Sequence, residues 1–206
     1  MTRRRVIGAL LLVGLFTACQ QGPTPAAPTP GGPSASVITE SPSAGSAGSA
    51  GSAAAAVAVD PSLLTILPPD VDGAPMQASP DTATQIAANP SLAKDVEAIA
   101  VGLAVSPGSS GNEELVIASV VRLRPDVFDD AWFRDWRDTY DAGACERAGG
   151  TGGNAEAEID GRPVFIGSCL NGAHTYHVRY GEDVIVSLTS VGDGRLGEQV
   201  VNNLGN

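Results

Sequence analysis

Residues 20–56 contain no aromatic side chain and little besides Pro, Gly, Ser, Ala, Thr and Gln. A stretch of that kind cannot bury enough apolar surface to offset the entropy of ordering its backbone. It is expected to be a disordered tether, so any core must come from the roughly 150 residues after it, enough for one ordinary domain over 57–206. Its first half, PTPAAPTPGGP, is stiffened by proline, and its second, SAGSAGSAGSAAAA, reads as flexible coil. A coil of this length spans on the order of 35 Å and can be drawn to about three times that, which sets a folded domain away from whatever holds the start of the chain.

The segment before the tether supplies that hold. Arg3, Arg4 and Arg5 form a basic start, and residues 6–16, VIGALLLVGLF, form an apolar run about half the length of a bilayer-spanning helix. It therefore reads as the core of a signal peptide and ends in Thr17, Ala18 and Cys19. The segment resembles the type II signal peptides of bacterial lipoproteins, whose lipobox runs Leu, a small or β-branched residue, Gly or Ala, then Cys. Thr17, Ala18 and Cys19 match position by position, while Phe16 stands where Leu is usual. The resemblance implies that residues 1–18 are removed, that Cys19 is acylated and becomes the first residue, and that the protein is held to the extracytoplasmic face of a cell membrane. Cleavage after Ala18 by the ordinary route fits less well, because it prefers a small residue at the place of Phe16. TRRRVIG also resembles a twin-arginine export signal, though any basic start can contain adjacent arginines.

Formal net charge is −11, and removing a leader with three arginines and no acid takes it to −14. Nucleic acid is not an expected partner, since phosphate binding needs a basic surface. Three cysteines are an odd number, but assigning Cys19 to lipid leaves Cys145 and Cys169, an even pair in an oxidising compartment. The pair is expected to form a disulfide, with free thiols or a metal pair as the alternatives. Closing about 25 residues, it would constrain the unfolded chain by roughly 3 kcal/mol.

Apolar runs return from Val57 onward. SPDTATQIAA reads as a short helix capped by Ser79 or Asp81 and stopped near Asn89 and Pro90, with a further turn over 92–96. AIAVGLAV and ELVIASVVRL flank a glycine-rich turn and read as a β-hairpin over 98–123. A helix is expected over 125–140, where Phe128, Trp132, Trp136 and Tyr140 recur every four residues with Phe133 beside them. Five of the nine aromatic residues lie here, and the stripe is expected to pack on a sheet. Asp130 with Arg134, Arg134 with Asp138, and Arg137 with Asp141 are spaced to pair on its solvated side. AEAEIDG, RPVFIGSC, HTYHVRY and DVIVSLTS read as four strands, and GRLGEQVVNNL as a closing helix. The expected class is α+β: a single domain with an antiparallel sheet and helices segregated to one face. VDGAPM at 71–76 echoes IDGRPV at 159–164, a hint of two related halves.

None of the chemistry-bearing constellations is complete. His174 and His177 are three apart on a strand and point to opposite faces, so no metal site is expected; one packs near Tyr176, Val178 and Tyr180 and the other is solvated. GDGRLG, residues 192–197, fits G-x-G-x-x-G, but no second strand follows, so Asp193 is read as a helix cap and the glycines as turn residues. GSSGN at 108–112 lacks the last glycine of a nucleophile elbow. Glu156 and Glu158 share a strand face but look exposed. No cofactor and no catalytic residue are assigned. The part from about 145 to 204 is similar to uncharacterised lipoprotein domains of GC-rich bacteria, through ACERAGG, AEAEIDGRPVFIGSC and TYHV, a likeness that implies no activity. The expectation is a lipid-anchored module that binds an envelope protein or ligand. The rival is a secreted hydrolase with a dispersed site.

Overall fold

The computed structural model describes residues 56–108 and 113–205. The leader, Cys19, nearly all of the tether and the hairpin tip at 109–112 lie outside the described residues. In chain order the elements are β1 (Ala58–Val59), a 3-10 turn (Pro61–Ile66), β2 (Asp70–Val71), β3 (Ala74–Pro75), β4 (Gln77–Ala78) and α1 (Pro80–Ala87). Then come β5 (Val96–Pro107), β6 (Glu113–Leu123), α2 (Asp130–Cys145), a second 3-10 turn (Glu146–Ala148), β7 (Thr151–Ile159), β8 (Arg162–Cys169), β9 (His174–Tyr180), β10 (Val184–Val191) and α3 (Leu196–Asn202).

The class is α+β, built on one large sheet in the order β1-β5-β6-β10-β9-β8-β7, with β4 also paired to β5. Only the short β1 pairs in parallel, so the sheet is antiparallel in all its long strands. The long hairpin β5–β6 forms where apolar, β-branched residues run without a break, because the strands are buried on both faces. α2 then carries the chain to the far edge, and the meander β7–β8–β9–β10 returns until β10 pairs with β6 along its whole length.

Strand alternation divides the core. Val116, Ala118, Val120, Val178, Val186 and Leu188 face one way and pack under α3, the first 3-10 turn and the β2–β3 hairpin. Ile99, Val121, Leu123 and Ile185 face the other way and pack under α2, with α1 alongside. The helices expected on one face are thus shared between both, since a sheet whose central strands are apolar on both sides needs two covers. Among the described residues no helix is long and apolar enough to cross a membrane.

α2 begins five residues later and ends five later than its aromatic spacing suggested. Asp126 is left-handed, with φ 61°, which breaks any helix begun at Pro125. The helix starts instead where the Asp129 carboxylate accepts a bond from Trp132 N at 2.7 Å. The two echoing segments prove to be the same local turn: Asp72-Gly73 and Asp160-Gly161 are left-handed pairs closing the β2–β3 and β7–β8 hairpins. The hairpins they close differ in length and sheet, so the echo is one of turn chemistry and not of two halves.

Candidate binding site

The odd-numbered residues of β9 and β10 under the C-terminal half of α2 are polar where the rest of that face is apolar. Thr175 pairs with Thr189 and His177 with Ser187 across the two strands. His177 and Ser187 are fully buried. Asp141, on α2, reaches down onto this layer: its Oδ1 accepts from Thr175 Oγ1 at 2.5 Å and lies 2.8 Å from His177 Nε2. His177 Nδ1 lies 3.0 Å from Ser187 Oγ, which in turn accepts from Trp136 Nε1 at 3.0 Å. With Nε2–H donating to Asp141, the Ser187 hydroxyl donates to Nδ1, and every polar group in the line from Trp136 to Asp141 has a partner. Burial alone would raise the Asp141 carboxyl. The bonds from His177 and Thr175, helped by the nearby Arg137 charge, outweigh burial and hold it below its ordinary value.

Room for this arrangement comes from Gly167 on β8, where a Cβ would stand 2.6 Å from Asp141 Oδ2 and collide with the Thr175 hydroxyl. Tyr140 closes the layer, its ring edge-on to His177 at 5.2 Å and its hydroxyl accepting from Thr189 Oγ1 at 3.2 Å. Burial pushes that hydroxyl up, against the lowering effect of bonds to Thr189 and Ser119.

The outer side of the same helix forms one wall of an open groove of about 370 Å³. Ile86 of α1 and Leu92 of the following loop form the facing wall, and Trp132, Trp136 and Tyr140 supply the aromatic floor. The two indoles are stacked, 5.4 Å between centroids and 15° apart. Each is pinned by its own N–H, Trp132 to Asp95 Oδ2 at 3.0 Å and Trp136 to Ser187. The aromatic platform is therefore rigid before anything binds, which lowers the ordering cost of binding. Asn89, Ser91, Asp135 and Thr139 place polar groups around it, the mix of apolar wall and few polar groups that small-ligand sites share.

Cys145 and Cys169 stand at disulfide distance, with Cα atoms 5.1 Å apart, and join the end of α2 to the end of β8. Cys19 lies outside the described residues. His174 and His177 do point to opposite faces: His174 is half-buried beside Ser168, its Nδ1 3.2 Å from that hydroxyl. The buried histidine, however, is the one facing away from Tyr176, Val178 and Tyr180, because their parity is that of His174. Glu156 and Glu158 are exposed on β7. Glu156 lines a separate cavity of about 270 Å³ with Arg137 and Asp141.

GDGRLG opens α3, yet the cap position is Arg195, with φ 55°, and not Asp193. Gly197 packs on the Tyr176 ring, and burial, with the nearby Glu198 charge, pushes the Tyr176 hydroxyl up to about 12. The i,i+4 pairs expected along α2 are replaced by Arg137 with Asp138 and by Asp130 with Arg179 of β9. Asp141 belongs to the buried layer instead, because the sheet beneath offers it two hydrogen-bonding groups, Thr175 and His177, where solvent offers competition. Sequence reading missed Asp141, Thr175 and Ser187. The available signal was parity, since Thr175 and His177 flank Tyr176, and Ser187 and Thr189 flank Leu188. Comparison with known proteins gives no match to a family model, a curated protein or a solved structure.

Proposed function

We propose that the chain is a lipoprotein anchored through Cys19 at the extracytoplasmic face of a cell membrane, and that its folded part is a binding module for an envelope ligand. The groove between α1 and α2 is its binding face. The observation that carries this reading is the placement of both tryptophans of the chain, stacked and N–H-bonded, on the floor of one open groove. The ligand chemistry that fits is a flat apolar face laid on the indoles, with hydrogen-bonding groups turned to Asn89, Asp135 and Thr139. An acidic net charge gives no purchase for nucleic acid.

The rival hydrolase reading draws on one observation, the line Ser187–His177–Asp141. A nucleophile needs a face from which a substrate carbonyl can approach. Ser187 has no exposed surface and lies beneath Trp136, so the line fits a polar buttress for the helix that carries the groove.

Two measurements test the proposal. Wild type incorporates radiolabelled palmitate and Cys19→Ala does not; label retained by the variant rules the anchor out. Because Trp132 and Trp136 are the only tryptophans, intrinsic fluorescence of the mature protein reports on the groove alone. Titration with soluble envelope glycans, aromatic amines and fatty acids is expected to shift or quench that emission for one class, and Thr139→Arg, which fills the groove, is expected to weaken the response at least about tenfold. Saturable binding with unchanged emission, or no response to any class, removes the groove as the site.

A further inference from the structure

On the opposite side of the sheet, Glu114 of β6 is 2% exposed, and among the described residues its buried Oε1 has no hydrogen-bond partner. An oxygen so placed has given up hydration with nothing in exchange, a cost that proteins usually remove by pairing. The chain above it is shaped to the carboxylate. A Cβ at Gly192, where φ is 110°, would stand 2.6 Å from Glu114 Cγ, and one at Gly194 would collide with the carboxylate itself. The glycines of GDGRLG thus let backbone approach a negative group, the reverse of the charge a phosphate loop serves. Beside them is a cavity of about 280 Å³ whose lining, among the described residues, includes Glu113, Glu114, Asn171 and Asp193 and no basic residue. Asn171 Oδ1 accepts from Ala173 N at 3.1 Å, which fixes the amide within the β8–β9 turn that borders the cavity.

We propose that this pocket binds Ca2+, with Glu114 as the buried carboxylate ligand and Asp193 as the second. Among the described residues no three His, Cys, Asp or Glu side chains gather to hold a metal, so the remaining ligands are the Asn171 amide, backbone carbonyls and water. A hard ion that accepts many oxygen donors in a flexible shell fits that donor set, whereas zinc calls for nitrogen or sulfur and Mg2+ for a tighter octahedron. Binding would neutralise the orphaned oxygen and pin the 192–195 turn, from which α3 begins. The site does not depend on the groove, since Glu114 shares the α3 side of β6 with Val116.

The test is titration calorimetry and thermal unfolding of the mature protein in EDTA, CaCl2, MgCl2, and NaCl at matched ionic strength. Ca2+ at a hundredfold excess over Kd is expected to raise Tm by about 5–10 °C. Glu114→Gln is expected to lose the shift, Asp193→Asn to weaken binding at least about tenfold, and Asp130→Asn, on the far face, to keep both. An equal shift with NaCl, a full shift in Glu114→Gln, or no binding heat at millimolar CaCl2 overturns the site. Should Glu114→Gln fail to fold, unchanged affinity in Asp193→Asn overturns it as well.

Discussion

Asp141 is where local and tertiary rules part company. Four residues after Arg137 on a helix, it is spaced for a surface ion pair, worth only a few tenths of a kcal/mol. It sits instead 8% exposed, bonded to Thr175 and His177, where loss of the carboxylate leaves two buried groups without a partner. Its carboxyl is held below the ordinary value, so its contribution is present above the unfolded carboxylate range and is lost as pH falls through the folded value. Asp141→Ala is therefore expected to cost about 1–3 kcal/mol at pH 7, and the gap from wild type to shrink below about pH 4. Melting temperatures of both proteins between pH 7 and 3 check this; a gap that stays constant through the acid limb means the carboxylate is not the titrating group. No spacing rule along one helix could have placed this residue, because its partners are 34 and 36 positions away. The parity of β9 and β10 held the clue, and it becomes readable only once His177 and Ser187 are known to be cross-strand neighbours. Glu114 was illegible for the same reason: its partner loop is far along the chain, and in the sequence its glycines look like a turn.

Among the elements, α2 shows what periodicity determines and what it leaves open. The four-residue recurrence of Trp132, Trp136 and Tyr140 identifies the helix and the face it buries. Its ends depend on single residues: a left-handed Asp126, the capping Asp129, and a run through Gly143 that carries the helix to Cys145. Packing and capping make separable contributions. Phe133 is 5% exposed, its ring edge-on to Phe165 at 5.4 Å, and Phe133→Ala is expected to cost about 3–5 kcal/mol through the cavity it leaves. Asp129→Ala removes only the cap bond to Trp132 N, about 1 kcal/mol. Denaturant midpoints at unchanged slope measure both; equal costs would mean that the cap, and not the aromatic face, decides whether α2 forms. The strands were more legible than the helix ends, since β5–β6 and the four segments of the meander are bounded by glycine-bearing turns that fix where each stops.

At the scale of the molecule, the sequence contains the α+β class and the hairpins but not the order of the sheet. Pairing of β6 with β10 joins residues as far apart as Leu115 and Val191, and only after that join do two apolar strand faces require covers on both sides. Within the folded region the Cys145–Cys169 link bears on how that arrangement is held. It ties the end of α2 to the end of β8, next to the turn that sends the chain into β7, and closes a loop of 24 positions. Cys145→Ser with Cys169→Ser is expected to lower unfolding free energy by about 3 kcal/mol, mostly by freeing the unfolded chain, and to leave the groove's tryptophan emission unchanged because the indoles are pinned by other bonds. Both cysteines are buried, Cys145 fully and Cys169 to 4% exposure, so a soluble reductant reaches the bond only through opening. Reduction of wild type by dithiothreitol, followed by mass after alkylation, is then expected to be slow in buffer and to accelerate with denaturant in step with the opening of α2 from the sheet. A rate independent of denaturant would show that the end of α2 frays on its own, and that the link, rather than the core beneath the helix, holds that corner of the fold together.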